Sequence, residues 1–440
     1  MGKRRKIPSG HFEATIDSLT HEGKGVARLD GKVTFIDGAL AGERVVFEYT
    51  SVRRNRDEGR VVDVLTPSPD RVEPRCPHFG ICGGCALQHL DHPAQVRIKQ
   101  QVLVDDFHHL GNALAIPELL PPLTGPIWGY RQKARLGVKW VPKKGRVLVG
   151  FRERRSPYIA ELERCEVLHP SVGERLLELS ALIGGLDARE RLPQIEVAIG
   201  DSRTALAFRH LDPLSEADRA ALAAFGREHD LDIYLQPGGP DSVHPIDDGV
   251  TEPSYRLDAF DAGYTFRPTD FTQVNAEINR QMVARAIELL EPGPDANVLD
   301  LFCGLGNFTL PLARRARRVI GVEGEGALVA RARENATRNG ITNAEFHQAD
   351  LTADFRSQPW AKEPFTHLLL DPPRSGAYEI LPLAAALKPQ RIVYVSCSPA
   401  TLARDAAWLT GEGGYTLQCA GIMDMFPHTA HVESIALFTR

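Results

Sequence analysis

The segment "NVLDLFCGLGNFTLPLARRA" at positions 297–316 joins two apolar runs through a pair of glycines. "NVLDLF" (297–302) has the length and composition of a buried strand, and the residues from Asn307 onward have helical spacing. Between them, Gly304 and Gly306 allow a tight turn and a close approach of the backbone to a ligand, as nucleotide-binding loops require. The segment therefore predicts a strand, a ligand-binding loop and a helix in succession.

The alternation of strands and helices continues on the C-terminal side of this segment. Further strands are predicted at "RVIGVEG", "AEFHQAD", "FTHLLLD" and "RIVYVS", with helical stretches such as "GALVARARENATRNG" between them. Strands that alternate with crossover helices form a parallel, doubly wound sheet. The last two apolar runs, "YTLQCAGIMDMF" and "HVESIALFTR", predict a terminal hairpin that adds antiparallel edge strands.

Acidic residues follow the first three predicted strands of this domain. Asp300 lies near the end of the first strand, Glu323 ends the second and Asp350 ends the third. Glu323 is suitably placed to accept hydrogen bonds from a ribose, and Asp350 to face an adenine. Thr309 replaces the third glycine of a dinucleotide-binding loop, and the domain is C-terminal with a closing hairpin. These features favour S-adenosylmethionine, so residues 271–440 are predicted to form a Rossmann-like class I methyltransferase domain.

The fourth predicted strand ends in "LLLDPPRSG" (368–376), where methyltransferases keep a reaction-specific motif. Enzymes that methylate amines tend to have an aromatic residue after the two prolines, and this chain has Arg374. The sequence therefore argues against an exocyclic amine as the methyl acceptor. Asp371 remains a polar contact for the cofactor or the base.

A cysteine stands at the end of the fifth predicted strand, in "VYVSCSPATLARD" (393–405). Carbon 5 of a pyrimidine is a poor nucleophile until a thiolate adds to carbon 6, whereas methylation of oxygen or nitrogen needs no thiol. Cys397 precedes Pro399, a typical first-turn residue, so we expect the helix N-terminus to lower the pKa of the thiol. Cys397 is the predicted nucleophile, while Cys303 and Cys419 are expected to be packing residues.

Thiol catalysis at carbon 6 also needs a base that removes the carbon 5 proton after methyl transfer. Glu433 begins the last predicted strand, near the same edge of the sheet, and is the candidate base. His431 is the competing candidate, with His428 close by in the chain.

The N-terminal part of the chain differs in its pattern of apolar and polar residues from the methyltransferase domain. Short alternating runs between 7 and 66, with turns at Gly31 and Gly38, predict a small β-barrel over residues 1–66. Residues 67–270 are predicted to form a central domain of mixed α+β character, with helices near 171–185 and 213–229. The predicted architecture is thus multidomain α/β.

Four cysteines precede the methyltransferase domain. Cys76, Cys82 and Cys85 lie in "CPHFGICGGC", and Cys165 is distant. Four thiolates suit either a tetrahedral zinc or an iron–sulfur cluster. A bare C-x2-C favours zinc, but C-x5-C-x2-C with a remote fourth thiolate and three loop glycines favours [4Fe-4S].

Composition and charge indicate the compartment of the protein and the partners that it can bind. The start "MGKRRKIPSG" has no apolar signal segment and no run of about 18 apolar residues occurs, so we expect a cytoplasmic protein with no membrane contact. The net charge of -5 excludes a uniformly basic nucleic-acid binder. Positive charge is instead local, in "KRRK" (3–6), "RRNRDEGR" (53–60) and the stretch at 130–155 that includes Lys133 and Arg135. These clusters are candidates for RNA phosphate contacts.

Taken together, these motifs resemble the uracil-C5 RNA methyltransferases over essentially the whole chain. "FTQVN" (271–275), "DLFCGLGNF", "DPPRSG", "SCSP" and "HVE" stand in the order and spacing of that family, although relatives often have "SCNP". The resemblance implies a TRAM-like RNA-binding barrel, a [4Fe-4S] cluster on Cys76, Cys82, Cys85 and Cys165, a nucleophilic Cys397 and a base at Glu433. It further implies that S-adenosylmethionine contacts Gln273, Phe302, Asn307, Glu323, Asp350 and Asp371.

The resemblance also suggests a substrate. Family members that act on tRNA typically lack both the barrel and the cluster, so their joint presence points to 23S rRNA and its uridine 1939. Methylation of another rRNA or tRNA uridine is an alternative, as is an RNA-binding Fe–S protein without methyltransferase activity. A cytosine-C5 enzyme would have a cysteine after proline at the "DPP" position, and this chain has none there. No protein partner is implied, and we expect a monomer.

Overall fold

The computed structural model describes residues 7–440, so the basic stretch at 3–6 lies outside the described residues. The chain divides into two compact units. The first contains the residues up to Val102 with Arg152–Pro157 and Phe426–His431, and the second contains Leu103–Phe151, Tyr158–Met425 and Val432–Arg440. Within the described part of the chain, no helix combines the length and the apolar character needed to cross a bilayer.

The first unit begins with a six-stranded sheet. Its strands are β1 (Phe12–Thr15), β2 (Ser18–Leu19), β3 (Gly25–Leu29), β4 (Lys32–Asp37), β5 (Arg44–Val52) and β6 (Arg56–Thr66). They are ordered β1-β5-β6-β4-β3-β2, with only the β4–β6 pair parallel. Apolar side chains, among them Ile16, Ile36 and Phe47, fill its core. Gly31 and Gly38 have φ of 77° and 82°, a region that glycine tolerates, which confirms the predicted turns.

Helix α1 (His92–His109) and the two-residue strand β7 (Glu118–Leu119) follow. The central sheet of the second unit is then formed by β8 (Lys133–Val141), β9 (Arg146–Gly150), β10 (Gln194–Ile199), β11 (Thr204–Arg209), β12 (Leu231–Gln236) and β13 (His244–Pro245). Its order is β13-β12-β11-β10-β8-β9. The helices of this region are α2 (Pro170–Gly173), α3 (Leu176–Gly184) and α4 (Glu216–His229). The two predicted helices are therefore present, the first as two pieces.

A two-stranded hairpin, β14 (Ser254–Leu257) and β15 (Ala262–Thr265), leads to helix α5 (Ala276–Leu290). Asn275 caps α5 with its side chain, which accepts a hydrogen bond from the backbone N–H of Ile278. Short 3-10 turns occur at Pro142–Lys144, Pro240–Ser242, Asp258–Phe260 and Pro359–Lys362.

The remaining chain forms an eight-stranded sheet, which confirms the predicted doubly wound architecture. Its strands are β16 (Asn297–Leu301), β17 (Arg318–Glu323), β18 (Ala344–Gln348), β19 (His367–Leu370), β20 (Arg391–Ser396), β21 (Thr416–Met423) and β22 (Glu433–Thr439) together with β7. The helices are α6 (Thr309–Ala313), α7 (Gly326–Arg338), α8 (Leu381–Ala386) and α9 (Pro399–Thr410). The strand order is β18-β17-β16-β19-β20-β22-β21-β7, and the first five strands are parallel.

The terminal hairpin is antiparallel, as predicted, but it does not supply the edge of the sheet. Strand β22 pairs with β20 on one side and β21 on the other. Strand β7 then pairs with β21 and forms the outermost strand. Since β22 is interior, its first residue is held next to the end of β20.

Candidate active site

The loop after β16 has the backbone geometry that its glycines predict. The φ angles of Phe302, Gly304 and Gly306 are all positive, at 67°, 55° and 93°. A Cβ at Gly306 would lie 2.7 Å from Leu310 Cδ1, so this position requires glycine. A Cβ at Gly304 would meet no atom within 4 Å, so the loop borders open space there. The loop therefore leaves room for a ligand at Gly304.

Asp300 lies fully buried beneath this loop. Its Oδ2 accepts a hydrogen bond of 2.5 Å from the hydroxyl of Thr309, the residue that replaces the third glycine. Its Oδ1 is buried without a hydrogen-bond partner among the described residues. Burial, with smaller contributions from the carboxylates of Asp371 and Glu323, raises the pKa of Asp300 to about 8. The site therefore gathers acidic groups in a place where water is largely excluded.

Glu323 ends β17 and Asp371 follows β19, the two strands that flank β16 in the sheet. Both oxygens of Glu323 accept backbone N–H groups, from Gly304 at 3.1 Å and from Glu325 at 3.0 Å. These bonds fix the carboxylate against the loop. Desolvation and the charge of Glu323 raise the pKa of Asp371 to about 7. Two of the predicted cofactor residues thus lie together at the carboxyl edge of the sheet.

Asp350 differs from these two because its side chain is exposed. Its Oδ1 accepts hydrogen bonds from the backbone N–H and the hydroxyl of Thr352, at 2.8 and 2.7 Å, which lower its pKa. The carboxylate is therefore oriented by its own turn after β18.

Asn307 is held by residues that the sequence did not suggest. Its Oδ1 accepts hydrogen bonds from the Tyr255 hydroxyl at 2.8 Å and from Asn279 Nδ2 at 3.2 Å. Its Nδ2 donates to Asn279 Oδ1 at 2.8 Å. Tyr264 also donates to the backbone carbonyl of Asn307, at 3.2 Å. The amide therefore anchors the loop to β14, β15 and α5, and one amide hydrogen remains for a ligand.

Gln273 lies just before α5, where it lines a small pocket with Thr272, Tyr255 and Asn279. Because Tyr255 and Asn279 both bond to Asn307, this pocket adjoins the cofactor loop. Tyr255 and Asn279 carry no sequence motif of their own, so only the folded contacts identify them.

The predicted nucleophile and base face each other across two strands. The antiparallel register of β20 and β22 pairs Val395 with Ile435 and Ser396 with Ser434. One residue further along each strand, this register places Cys397 opposite Glu433. Glu433 also raises the pKa of the Cys397 thiol through its charge, as expected for neighbours. The pairing therefore brings together two residues that are far apart in the sequence.

The expected lowering of the Cys397 pKa is wrong. Burial and the carboxylates of Glu433 and Asp371 together raise the pKa to about 11, while Arg374 acts in the opposite direction. The dipole at the N-terminus of α9 favours the thiolate only weakly. Desolvation of the thiol beside two negative charges has the larger effect. Cys397 is thus a protonated thiol in the protein without ligands. Cys303 and Cys419 are buried, as expected of packing residues.

The two histidines near Glu433 in the sequence belong to the first unit. Gln95 Nε2 donates to His428 Nδ1 at 3.1 Å, and the His428 backbone carbonyl accepts hydrogen bonds from the N–H groups of Ala86 and Leu87. The His431 ring packs 5.3 Å from the Phe426 ring, measured between centroids. These contacts give His428 a structural role in its own unit.

The first three cysteines of the predicted cluster lie in a tightly wound loop of the first unit. The backbone N–H of Gly84 donates to Cys82 Sγ at 3.4 Å, and that of Gly83 donates to the Arg152 carbonyl at 2.8 Å. A Cβ at Gly83 would lie 3.1 Å from that carbonyl oxygen, so a side chain would be crowded. An amide-to-sulfur hydrogen bond is typical of cysteines that ligate iron–sulfur clusters.

Cys165 lies in the second unit, where its backbone N–H donates to the Gly173 carbonyl at 2.8 Å. Over residues 7–440, no group of three or more His, Cys, Asp or Glu side chains is arranged to hold a metal ion. The predicted cluster therefore stays a prediction.

The predicted basic residues differ in their access to solvent. Arg53, Arg54 and Arg56 are exposed at the turn between β5 and β6. The Lys133 amine donates to the Pro268 carbonyl, and burial lowers its pKa to about 8, so it is committed within the fold. Arg135 keeps 69% of its side chain exposed, beside Glu196. The hairpin arginines are therefore better placed than Lys133 to contact phosphates.

Comparison with known proteins identifies the family of this chain. The family model for tRNA (Uracil-5-)-methyltransferase matches residues 204–440, and the TRAM domain model matches residues 11–62. A relative from Alkalilimnicola ehrlichii, named 23S rRNA (uracil(1939)-C(5))-methyltransferase RlmD, is 58% identical over 100% of this chain and 98% of its own. A relative of the same name from Stenotrophomonas maltophilia is 54% identical over 99% of both chains.

A solved structure has the same fold over nearly the whole length. The Pyrococcus abyssi tRNA (uracil-54, C5)-methyltransferase, in complex with S-adenosyl-L-homocysteine, matches with a TM-score of 0.75 and 24% identity. The match covers 97% of this chain and 99% of that structure. With a family model over more than half of the chain and relatives above 50% identity over its full length, this chain belongs to the uracil-C5 RNA methyltransferase family and carries an N-terminal TRAM domain.

Proposed function

We propose that this protein transfers a methyl group from S-adenosylmethionine to carbon 5 of a uridine in 23S rRNA, the uridine numbered 1939 in the names of its relatives. The observation that carries the proposal is the β20–β22 register, which ends at the pair Ser396 and Ser434, directly next to Cys397 and Glu433 in the chain. A thiol beside a carboxylate is the pair that carbon 5 methylation needs, and other methyl acceptors need no thiol.

The charges around the loop suit this methyl donor. S-adenosylmethionine carries a sulfonium and an ammonium cation, and Asp300, Glu323 and Asp371 present carboxylates to one another at the loop. A bound cation would favour the ionised forms of Asp300 and Asp371, whose pKa values are raised by burial. The residues proposed to contact the methyl donor are Gln273, Phe302, Asn307, Glu323, Asp350 and Asp371.

The chain's own residues account for the covalent steps. The Cys397 sulfur, as thiolate, bonds to carbon 6 of the uracil, and the electron pair of the C5=C6 bond moves into the ring as an enolate. Carbon 5 then takes the methyl group from the sulfonium, whose sulfur keeps the bonding electrons. Glu433 removes the carbon 5 proton while the C6–S bond breaks and its electrons return to Cys397. One proton is released per methyl group transferred.

RNA recognition is proposed to involve the TRAM domain. Arg53, Arg54 and Arg56 form an exposed positive turn, and such a turn suits phosphate groups in a chain whose net charge is -5. The target uridine must leave its stack before the thiol reaches carbon 6, so base flipping is expected.

The function is tested with S-adenosylmethionine labelled in its methyl group and 23S rRNA that lacks base methylation. We expect label in 5-methyluridine at position 1939 alone, read by nuclease mapping and mass spectrometry. Label in 5-methyluridine at another rRNA or tRNA position would keep the chemistry and overturn the target. RNA binding without label in any RNA would favour the Fe–S RNA-binding alternative.

A [4Fe-4S] cluster on Cys76, Cys82, Cys85 and Cys165 is part of the proposal. It is supported by the donor set of four cysteines, by the wound glycine loop and by the Gly84 amide that donates to Cys82 Sγ. A cluster there would stabilise the fold by joining loops, and no catalytic step is assigned to it.

Iron and sulfide analysis of anaerobically purified protein tests the cluster. We expect about four irons and four sulfides per chain, with broad absorption near 400 nm. The Cys82→Ser variant should lose them, and Cys419→Ala, which changes a buried cysteine of β21, should keep them. Stoichiometric zinc without sulfide would show that the four cysteines bind zinc and no iron–sulfur cluster.

A further inference from the structure

A buried network behind Cys397 joins three segments of the methyltransferase domain. Asp405 on α9 is fully buried, and its Oδ2 accepts hydrogen bonds from the Tyr394 hydroxyl at 2.7 Å and the Ala377 backbone N–H at 2.8 Å. The same N–H lies 3.0 Å from the Tyr394 hydroxyl oxygen. Tyr394 is three residues before Cys397, and α9 begins two residues after Cys397. The network therefore spans both chain segments that flank the thiol.

Arg404 completes the attachment of the segment 375–378 to α9. Its Nε donates to Asp405 Oδ1 at 2.8 Å, and its Nη2 donates to the Ser375 carbonyl at 2.9 Å. Its guanidinium carbon also lies 5.0 Å from the centroid of the Tyr378 ring. Arg404 and Asp405 thus contact residues on both sides of Gly376.

Gly376 shows how close this approach is. Its φ is 81°, and a Cβ would lie 2.6 Å from Arg404 Nη2 and 2.7 Å from Asp405 Oδ2. The backbone therefore rests directly on the ion pair, and a side chain at this position would displace it. The glycine of "DPPRSG" is accounted for by this contact.

Asp371 and Arg374 lie just before the attached segment 375–378, and the charges of both act on Cys397. Arg374 is a cation and favours the thiolate. We propose that Asp405 and Tyr394 are positioning residues, which hold segment 375–378 against β20 and α9 and so fix the preceding Arg374 relative to Cys397. The inference rests on the proposed role of Cys397 as nucleophile.

Asp405→Asn tests the inference, because it keeps the size of the side chain and removes its charge. The readout is the alkylation rate of Cys397 by iodoacetamide in the protein alone, followed by mass spectrometry of its peptide from about pH 7.5 to 9.5. We expect alkylation about 10-fold slower than in the wild type at each pH, since a displaced cation favours the thiolate less. General loosening would have the opposite effect, because solvation of a thiol whose pKa is raised mainly by burial makes it more reactive.

A double-mutant cycle identifies the residue through which Asp405 acts. Arg374→Gln alone should slow alkylation to a similar extent, and adding Asp405→Asn to it should cause no further slowing. Unchanged or faster alkylation in Asp405→Asn would overturn the inference, as would full additivity with Arg374→Gln. Tyr394→Phe, which removes one hydroxyl, provides a milder variant with the same expected direction if Asp405→Asn does not fold.

Asp218→Asn is the matched control. Asp218 on α4 is also a buried aspartate that accepts two hydrogen bonds from backbone N–H groups, those of Asp187 at 2.8 Å and Ala188 at 3.1 Å. It should lower the melting temperature without changing Cys397 alkylation, and slower alkylation in this control would count against a specific role for Asp405. Because the assay contains neither RNA nor methyl donor, its result is independent of whether 23S rRNA is the substrate.

Discussion

Cys397→Ala is expected to lower the rate of methyl transfer to uridine by roughly 10⁴-fold or more, because loss of a covalent nucleophile removes the step on which the others depend. Without the thiolate, carbon 5 stays part of an electron-poor ring and does not attack a methyl group. The measurement is the initial rate of label transfer from S-adenosylmethionine to 23S rRNA.

RNA that contains 5-fluorouridine at the target position makes this prediction sharper. Fluorine replaces the proton that the base must remove, so the wild type should be trapped as a methylated covalent complex. Cys397→Ala should form none, and Cys419→Ala should form as much as the wild type. A covalent complex in Cys397→Ala would show that another nucleophile acts, and its absence from the wild type on all RNAs would contradict the thiol mechanism.

The raised pKa of Cys397 has a consequence for the order of events. With a pKa of about 11, roughly one thiol in 10⁴ is ionised at pH 7 in the protein without ligands. Because this pKa lies above neutral pH, the fraction of thiolate, the reactive form, increases as the pH rises through the neutral range. The bound methyl donor brings positive charge to a site that holds Asp300, Glu323 and Asp371, and this charge would favour ionisation of the thiol.

The sequence predicts most of the fold because the relevant signals are local. The G-x-G loop, the strand-ending acidic residues and the alternation of strands and helices are each contained in a few consecutive residues. Strand β7 was not predicted because two residues form a strand only through pairing with β21. Secondary structure that exists by tertiary contact alone leaves no periodic pattern in the sequence.

The site was predicted less completely for the same reason. Cys397 and Glu433 are proposed from chemistry, but the pKa of the thiol depends on burial and on Asp371, which is distant in sequence. A local argument from the helix N-terminus therefore gave the wrong direction. The Asn307 contacts with Tyr255 and Asn279 are likewise long-range.

Glu433→Gln is expected to slow turnover by about 10²- to 10⁴-fold, because glutamine has similar size and cannot take the carbon 5 proton. The thiolate can still add and carbon 5 can still be methylated, so the methylated protein–RNA complex should accumulate on ordinary uridine RNA. The measurement is the fraction of label that migrates with protein in a denaturing gel.

The same substitution should make Cys397 of the protein without ligands more reactive. Glu433 raises the pKa of the thiol through its negative charge, so a neutral glutamine lowers that pKa and increases the thiolate fraction at a given pH. Because loosening of the fold would also speed alkylation, the accumulated methylated complex is the result that distinguishes loss of the base from general damage. His431→Gln is the control for the competing base: if it accumulates the complex and Glu433→Gln does not, the proton is removed by His431 instead.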